Sequence, residues 1–451
     1  MRITRRLLDR CGLATLVALA SAAAVSASCS SDPEEGGALA TDSGAQVAPG
    51  VQDGASDADV VSDAGSDAAL EDVAVPDASP RPVACGGTSC ATALVTILGE
   101  GFCVLLQDKT VACWGDNANG QLGRGADAGV IASGVAERVL GLVDVVALDH
   151  ACAIDASGDS WCWGTGPWLQ TAAATTKELA PVKLPIPPAK AIRVARSSTN
   201  AGTACALVDA GVICWGTNAN GQVMPPERDA GPTTAYQPTQ QVLPSGSVVR
   251  DLAVGDATFA ILDDGTVFSW GANPPIGRVS SLYPDPYPRP LALGGFSQID
   301  AANENVCGVA GAAIHCWGWP KTTTTVTQPF DRALPEILVL PESVVFAATS
   351  AGESKVTNPL RGCAIGASGS LYCWGNNLSG QVGDGTKDYA ITSVKIAGLP
   401  EPAAQVRTTP NATCALLTSG RVFCWGADGV GQLGGGRLKW PSAVPREVVL
   451  P

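Results

Sequence analysis

The sequence predicts an all-β protein, a seven-bladed β-propeller. Three observations predict it: a Cys-Trp-Gly phrase that returns at blade-length intervals, a hairpin written into each copy, and a last strand with no hairpin after it. The tryptophans of the phrase are Trp114, Trp163, Trp215, Trp270, Trp317, Trp374 and Trp425, separated by 49, 52, 55, 47, 57 and 51 residues. These gaps are near the length of one four-stranded blade, and their scatter is what loops of variable length produce.

Each copy reads as a β-hairpin. In Cys205-Ala-Leu-Val, then Asp209-Ala210-Gly211, then Val-Ile-Cys214-Trp215-Gly216, small and branched apolar residues flank a turn of the Asp/Gly type. The fourth copy carries Phe259 and Ser269 where the others carry cysteine. Loss of both cysteines together implies that the two positions meet.

A Pro-x-x-Val/Leu strand precedes most hairpins, as in Pro181-Val-Lys-Leu, but none lies ahead of Ala93 in the first copy. The chain ends in Pro445-Arg-Glu-Val448-Val449-Leu450-Pro451, which has that strand and no hairpin. The expectation is that the C-terminal strand pairs with the first blade and closes the ring without an open sheet edge.

After Trp-Gly several copies continue with a second phrase: Asn117-Ala-Asn-Gly120-Gln121-Leu122-Gly123, Asn218-Ala-Asn-Gly221-Gln222-Val223, Asn377-Leu-Ser-Gly380-Gln381-Val382-Gly383 and Asp428-Gly-Val-Gly431-Gln432-Leu433-Gly434. Together the two phrases resemble the repeats of the regulator of chromosome condensation family over the whole region from Cys85 to Pro451. The resemblance implies a seven-bladed propeller, in agreement with the count of tryptophans. The nucleotide-exchange activity best known in that family has no matching positions to carry it here, and fold likeness alone does not transfer an activity.

Ahead of the repeats, residues 1–28 read as a signal peptide: Arg2, Arg5, Arg6 and Arg10 precede an uncharged run from Gly12 to Val25, too short to span a bilayer as a helix. Thr4-Arg5-Arg6-Leu7-Leu8 faintly resembles a twin-arginine signal, but Asp9 stands where that pattern has an apolar residue. Two cleavages compete. Cutting before Cys29 leaves a thiol for lipid attachment, as in bacterial lipoproteins, although Ser26 stands where those carry Leu; cutting after Ala27 leaves a soluble exported protein. Residues 29–84 read as a disordered Asp/Ser/Ala/Gly linker with no aromatic side chain, unable to bury enough apolar surface to offset its ordering entropy. Its carboxylates, among them Asp53, Asp57, Asp59, Asp63, Asp67, Glu71, Asp72 and Asp77, account for most of the net charge of −14. That balance argues against nucleic acid as a partner, and the spacing lacks the order of a calcium loop. Residues 85–451 are the propeller.

Of the 16 cysteines, Cys11 leaves with the signal and Cys29 is the lipid site. Twelve of the others form pairs across the hairpin turns, where facing positions are close enough to bridge: Cys103-Cys113, Cys152-Cys162, Cys205-Cys214, Cys307-Cys316, Cys363-Cys373 and Cys414-Cys424. Cys85 and Cys90 remain for each other. The competing readings are zinc ligands, which want closer spacing and more than the two histidines His150 and His315, and buried free thiols, which would require that the chain is not exported.

Chemistry-bearing motifs are sparse. His150 reads as a structural histidine and His315 as a strand residue; Asp263-Asp264, the one close carboxylate pair in a hairpin, lies at a turn before Gly265 where Asp is expected for backbone reasons. Neither a Gly-x-Ser-x-Gly elbow nor a phosphate-binding loop is present. The blades differ most just after Trp-Gly, as in Gly164-Thr-Gly-Pro167-Trp168, Gly271-Ala-Asn-Pro-Pro-Ile and Gly318-Trp319-Pro320-Lys321. Trp168, Trp319 and Trp440 therefore read as loop aromatics that could stack on a sugar or anchor a protein, with blade packing as their alternative. The expectation is a monomeric, non-enzymatic binding or scaffold propeller without metal or cofactor, tethered to the membrane only through a lipid anchor, with a protein or glycan ligand. A polysaccharide lyase or hydrolase and a secreted enzyme inhibitor are the alternatives.

Overall fold

A computed structural model describes residues 79–87, 89–195, 202–225, 235–318, 333–350 and 361–451. The signal peptide, Cys29, Trp319 and all but the last few residues of the linker lie outside them. All described residues belong to one compact unit, Asp72–Pro451.

Seven four-stranded antiparallel sheets follow one another along the chain, each a meander of consecutive strands. The innermost strands are β1 (Ala91–Thr96), β5 (Val145–Asp149), β9 (Ala189–Val194), β13 (Val249–Val254), β17 (Phe296–Ala302), β21 (Val344–Thr349) and β25 (Ala403–Thr408). Each packs against the innermost strand of the next blade, and β25 returns to β1, so the ring is shut. Every blade then runs outward through its hairpin to an outer strand, from β4 (Ser133–Arg138) in the first blade to β28 (Ser442–Glu447) in the last. Among the described residues the one helical turn is Ala126–Ala128.

The core is divided between the blades. Seven apolar clusters each join residues of two neighbouring blades, and the one containing Leu94, Phe102, Trp114, Leu416, Leu433 and Val448 joins the last blade to the first. A blade buries both of its faces against its neighbours, which is why the hairpin strands read as continuous apolar runs, such as Gly101–Leu106.

The C-terminal strand does not pair with the first blade. β28 lies beside β27 (Val422–Gly426) in the last sheet, with Phe423 opposite Glu447 and Cys424 opposite Arg446. The Pro-x-x-Val strand belongs to the hairpin before it rather than the one after it, so each blade is one unbroken stretch of chain and β1 supplies the first blade's inner strand. Outer edges therefore remain at the rim, and Pro181, Pro238, Pro286 and Pro445 stand in these edge strands, where a missing N–H discourages further pairing.

The ring is held by a joint repeated from blade to blade. The indole Nε1–H of six of the seven phrase tryptophans donates to a backbone oxygen in the loop after Trp-Gly of the preceding blade: Trp163 to Gln121 (2.8 Å), Trp215 to Pro167 (2.7 Å), Trp270 to Gln222 (2.8 Å), Trp317 to Pro275 (2.8 Å) and Trp425 to Gln381 (3.0 Å). Trp114 of the first blade donates to Gln432 O of the last at 3.0 Å, so the joint also spans the ring closure. In the sixth blade the glycine that ends the second phrase lies tight against the joint. Gly383 has φ +95°, and a Cβ there would lie 2.3 Å from Trp425 Nε1. Gly383→Ala is expected to cost about 3 kcal/mol, from strained backbone plus overpacking. Gly398→Ala, at φ +83° with open space around it, carries the backbone part alone. Equal urea midpoints for the two variants would refute the steric role of the joint.

Candidate functional site

Among the described residues there are seven disulfides, Cys85–Cys90 and six hairpin bridges between directly opposed residues with Cα atoms 4.1 Å apart: Cys103–Cys113, Cys152–Cys162, Cys205–Cys214, Cys307–Cys316, Cys363–Cys373 and Cys414–Cys424. Such a set is the mark of an oxidising environment. In the fourth blade Phe259 and Ser269 do face each other. There Arg278 replaces the bridge, donating from Nε to Ser269 Oγ (3.2 Å) and from Nη1 to the Asp285 carboxylate (2.7 Å), with both ionic side chains buried.

The first concave feature is the central channel, a cavity of ≈ 190 Å³ onto which every blade's inner strand opens. Its carboxylates and guanidiniums come from strand positions: Asp149, Arg193, Asp300 and Arg407 pair with the first hairpin cysteine of their own blade, and Asp251 comes from two residues before that position in the fourth; His150, just past its strand, also lines the channel. They bridge blades. Arg193 donates from Nη2 to Asp251 (2.6 Å) and from Nε to Leu252 O (3.0 Å). Burial depresses the Arg193 pKa, but the carboxylates of Asp149, Asp251 and Asp300 more than offset this and hold it above the usual arginine value. Asp300 accepts the Thr349 N–H (2.7 Å), Gln298 exchanges two bonds with Ala347, and Gln405 accepts the Leu94 N–H (2.9 Å) across the ring closure. The Arg407 guanidinium lies 4.9 Å from the Phe346 ring centre.

Sequence reading missed these channel residues. Asp149 stands 3 residues before Cys152 and Arg193 stands 12 before Cys205, so no fixed spacing marks them. The signal that could have found them is a charged or amide residue inside an otherwise apolar strand.

Of the expected loop aromatics, Trp168 is wholly buried and its indole donates to Gly164 O (3.0 Å). Pro167 and Trp168 take the places of Gln and Leu in the joint, Pro167 accepting the next tryptophan and Trp168 filling the space of Leu122. It is a wedge between blades, and not a surface for ligands. Pro275 and the buried Ile276 do the same in the fourth blade. Trp440 is 48% exposed. His150 is buried with φ +50°, and His315 packs edge-on to Phe296, its pKa lowered by burial. Asp264 accepts the Thr266 N–H (2.9 Å) in the hairpin turn, which lowers its pKa. No group of three or more metal-binding side chains is found among the described residues.

Comparison with known proteins agrees with this architecture. The profile of the Regulator of chromosome condensation (RCC1) repeat matches residues 405–432. The chain is similar to the ultraviolet-B receptor UVR8 of Arabidopsis thaliana, with 27% identity across 76% of this chain and 78% of that one. It is also similar to the X-linked retinitis pigmentosa GTPase regulator homolog of Caenorhabditis elegans, at 24% identity over 79% of this chain, and to the probable E3 ubiquitin-protein ligase HERC6 of Homo sapiens, at 28% over 47%. It spans only 24% and 21% of those two proteins. Among solved structures, human WBSCR16 superposes with TM-score 0.58 at 19% identity, covering 76% of this chain and 94% of that one. Prp20p of Saccharomyces cerevisiae superposes with TM-score 0.59 at 18% identity, covering 80% and 88%. These two likenesses concern the fold.

Proposed function

From the premise that this chain is a seven-bladed propeller of regulator of chromosome condensation repeats, we propose that it is a non-enzymatic binding or scaffold protein. In this reading it is exported, held at the outer membrane or cell surface through a lipid on Cys29 or else periplasmic or secreted, and grips a protein or glycan with loops on one face. The observation that carries the reading is the state of the channel. At ≈ 190 Å³ the cavity is below the roughly 300 Å³ at which ligand pockets begin, and its charged side chains are committed to joining blades. What is left to meet a ligand is the set of loops after Trp-Gly, which differ from blade to blade and in the fourth border an open groove of ≈ 850 Å³ lined by Val279, Leu282, Tyr287, Arg289 and Leu334. Regulatory binding propellers among the relatives, such as the receptor UVR8, support the same class.

The full oxidised chain, immobilised, should retain a ligand from envelope extracts or a glycan array and release it unchanged in mass. Release of a shortened product would make the chain an enzyme and overturn the reading. For the anchor, metabolic labelling with palmitate should mark the wild-type chain and be abolished by Cys29→Ala; label that persists in the variant removes Cys29 from the membrane.

A further inference from the structure

We propose that the junction of the last and first blades is a docking surface for an acidic segment of a partner protein, centred on Trp440, Arg437 and Arg446. The proposal rests on the binding reading above and names the partner's chemistry. The guanidinium carbons of Arg437 and Arg446 lie 4.6 and 4.4 Å from the centre of the Trp440 ring. Neither arginine has an ion pair among the described residues, nor has the exposed Lys439 beside them. The neighbouring carboxylate, Glu447, is already held at both oxygens by Arg421, at 2.7 and 2.6 Å. Three cations without an ion pair among the described residues thus gather around an exposed aromatic. Guanidiniums over an indole keep their N–H edges for carboxylates, so the ring serves as a brace for two anion receptors rather than as a platform for a neutral sugar.

The patch is built into the fold. Where the other second phrases have Asn117, Asn218 and Asn377, whose amides donate to their loops, the last blade has Asp428. Its Oδ1 accepts the Leu433 N–H as the asparagines' oxygens do for their loops, but its Oδ2 accepts the Trp440 N–H (2.9 Å) and its carbonyl accepts Lys439 N–H (2.7 Å). The loop is tied across the blade junction by the Gly436 N–H to Gly134 O (2.8 Å). Leu438 in this loop and Ile131 and Val135 on either side of Gly134 are exposed. Preorganised arginine and tryptophan beside exposed apolar side chains are what protein interfaces concentrate at their energetic centres, and this favours an acidic polypeptide over a uronate polymer.

The test measures binding of the full oxidised chain to a Glu-rich peptide and, separately, to polygalacturonate, at low and moderate salt. Binding to the peptide, falling with salt, should weaken at least ~10-fold in Arg437→Gln/Arg446→Gln and stay within ~2-fold in Lys387→Gln, an exposed cation on another blade. Asp428→Asn keeps every cation but loses the acceptor for Trp440 N–H, and it should weaken binding as well. Unchanged affinity in the double variant overturns the proposal, as does tighter binding to polygalacturonate or no binding to the peptide. If the envelope ligand is still retained in those cases, the binding propeller stands and this surface falls; if it too is not retained, both fall. Circular dichroism and the urea midpoint confirm that each variant is folded.

Discussion

Reduced under mild urea, the chain is expected to unfold at temperatures where the oxidised protein keeps its full β signal. A bridge closing a loop of about ten residues removes roughly 2.5 kcal/mol of denatured-state entropy. Seven of them together outweigh or match the roughly 5–15 kcal/mol by which domains are stable. The six hairpin bridges are buried, so a reductant reaches them only through opened molecules, and mild denaturant is needed to make the comparison at equilibrium. The fourth blade sets the scale for a single loss: it keeps its hairpin with Phe259 opposite Ser269, helped by the Arg278–Asp285 network. Cys205→Ala/Cys214→Ala should therefore lose about 2–3 kcal/mol in urea unfolding and remain folded. Cys205→Ala alone should do worse in expression, because Cys214 is then a spare thiol among oxidised pairs. A fully reduced chain that melts within a few degrees of the oxidised one would show that blade packing carries the fold and that the sulfur is incidental.

What was legible in the sequence follows from the range of each interaction. The hairpins and their cysteine pairs are separated by a turn, so spacing alone brings Cys414 opposite Cys424. The number of blades is legible for the same reason, because each tryptophan lies inside a local phrase. The phase of the blades is not. A strand between two hairpins can pair with either, and Pro445-Arg-Glu-Val448 looks alike in both cases; the pairing of β28 with β27 and the packing of β1 against β25 show that the ring closes without borrowing a strand. For Trp168 the letters leave ligand contact and blade packing both open, because its loop departs from the Asn-x-x-Gly-Gln-Leu letters while keeping their geometry, a larger apolar side chain doing the work that Leu122 does in the first blade. Trp440 is legible as an extra aromatic, but the two arginines over it come from different segments, and nothing in the letters marks that Asp428 holds Trp440 N–H with its second oxygen.

Arg361 is the largest charged side chain fully buried in the described structure, and replacing it by Met is expected to cost about 3–5 kcal/mol, the range for removing one partner of a buried charged cluster. It stands at the entrance to the hairpin of the sixth blade and reaches into the seventh. Nη1 donates to Gln381 O (3.0 Å) and Thr413 Oγ1 (3.0 Å), and Nη2 donates to Thr409 O (2.8 Å) and Ala412 O (2.7 Å). Burial pushes its pKa down to about 9, against the pull of the Glu100 carboxylate. Glu100 belongs to the first blade and accepts from Asn411 N (3.1 Å), Asn411 Nδ2 (2.9 Å) and Thr409 Oγ1. One cation and one carboxylate therefore grip the same turn of the last blade from its two neighbours, where the ring has to close. Methionine matches the length of the arginine stem but leaves Thr409 and Ala412 carbonyls without those donors. Lysine keeps the charge but offers it at one point, so Arg361→Lys should recover only part of the loss. Because both partners act on the Thr409–Ala412 turn, the double variant Arg361→Met/Glu100→Gln should lose less than the two single losses added together, by about 1 kcal/mol or more. Strict additivity in urea unfolding would separate the two contacts, and a midpoint for Arg361→Met within ~0.5 kcal/mol of wild type would remove Arg361 from the closure altogether.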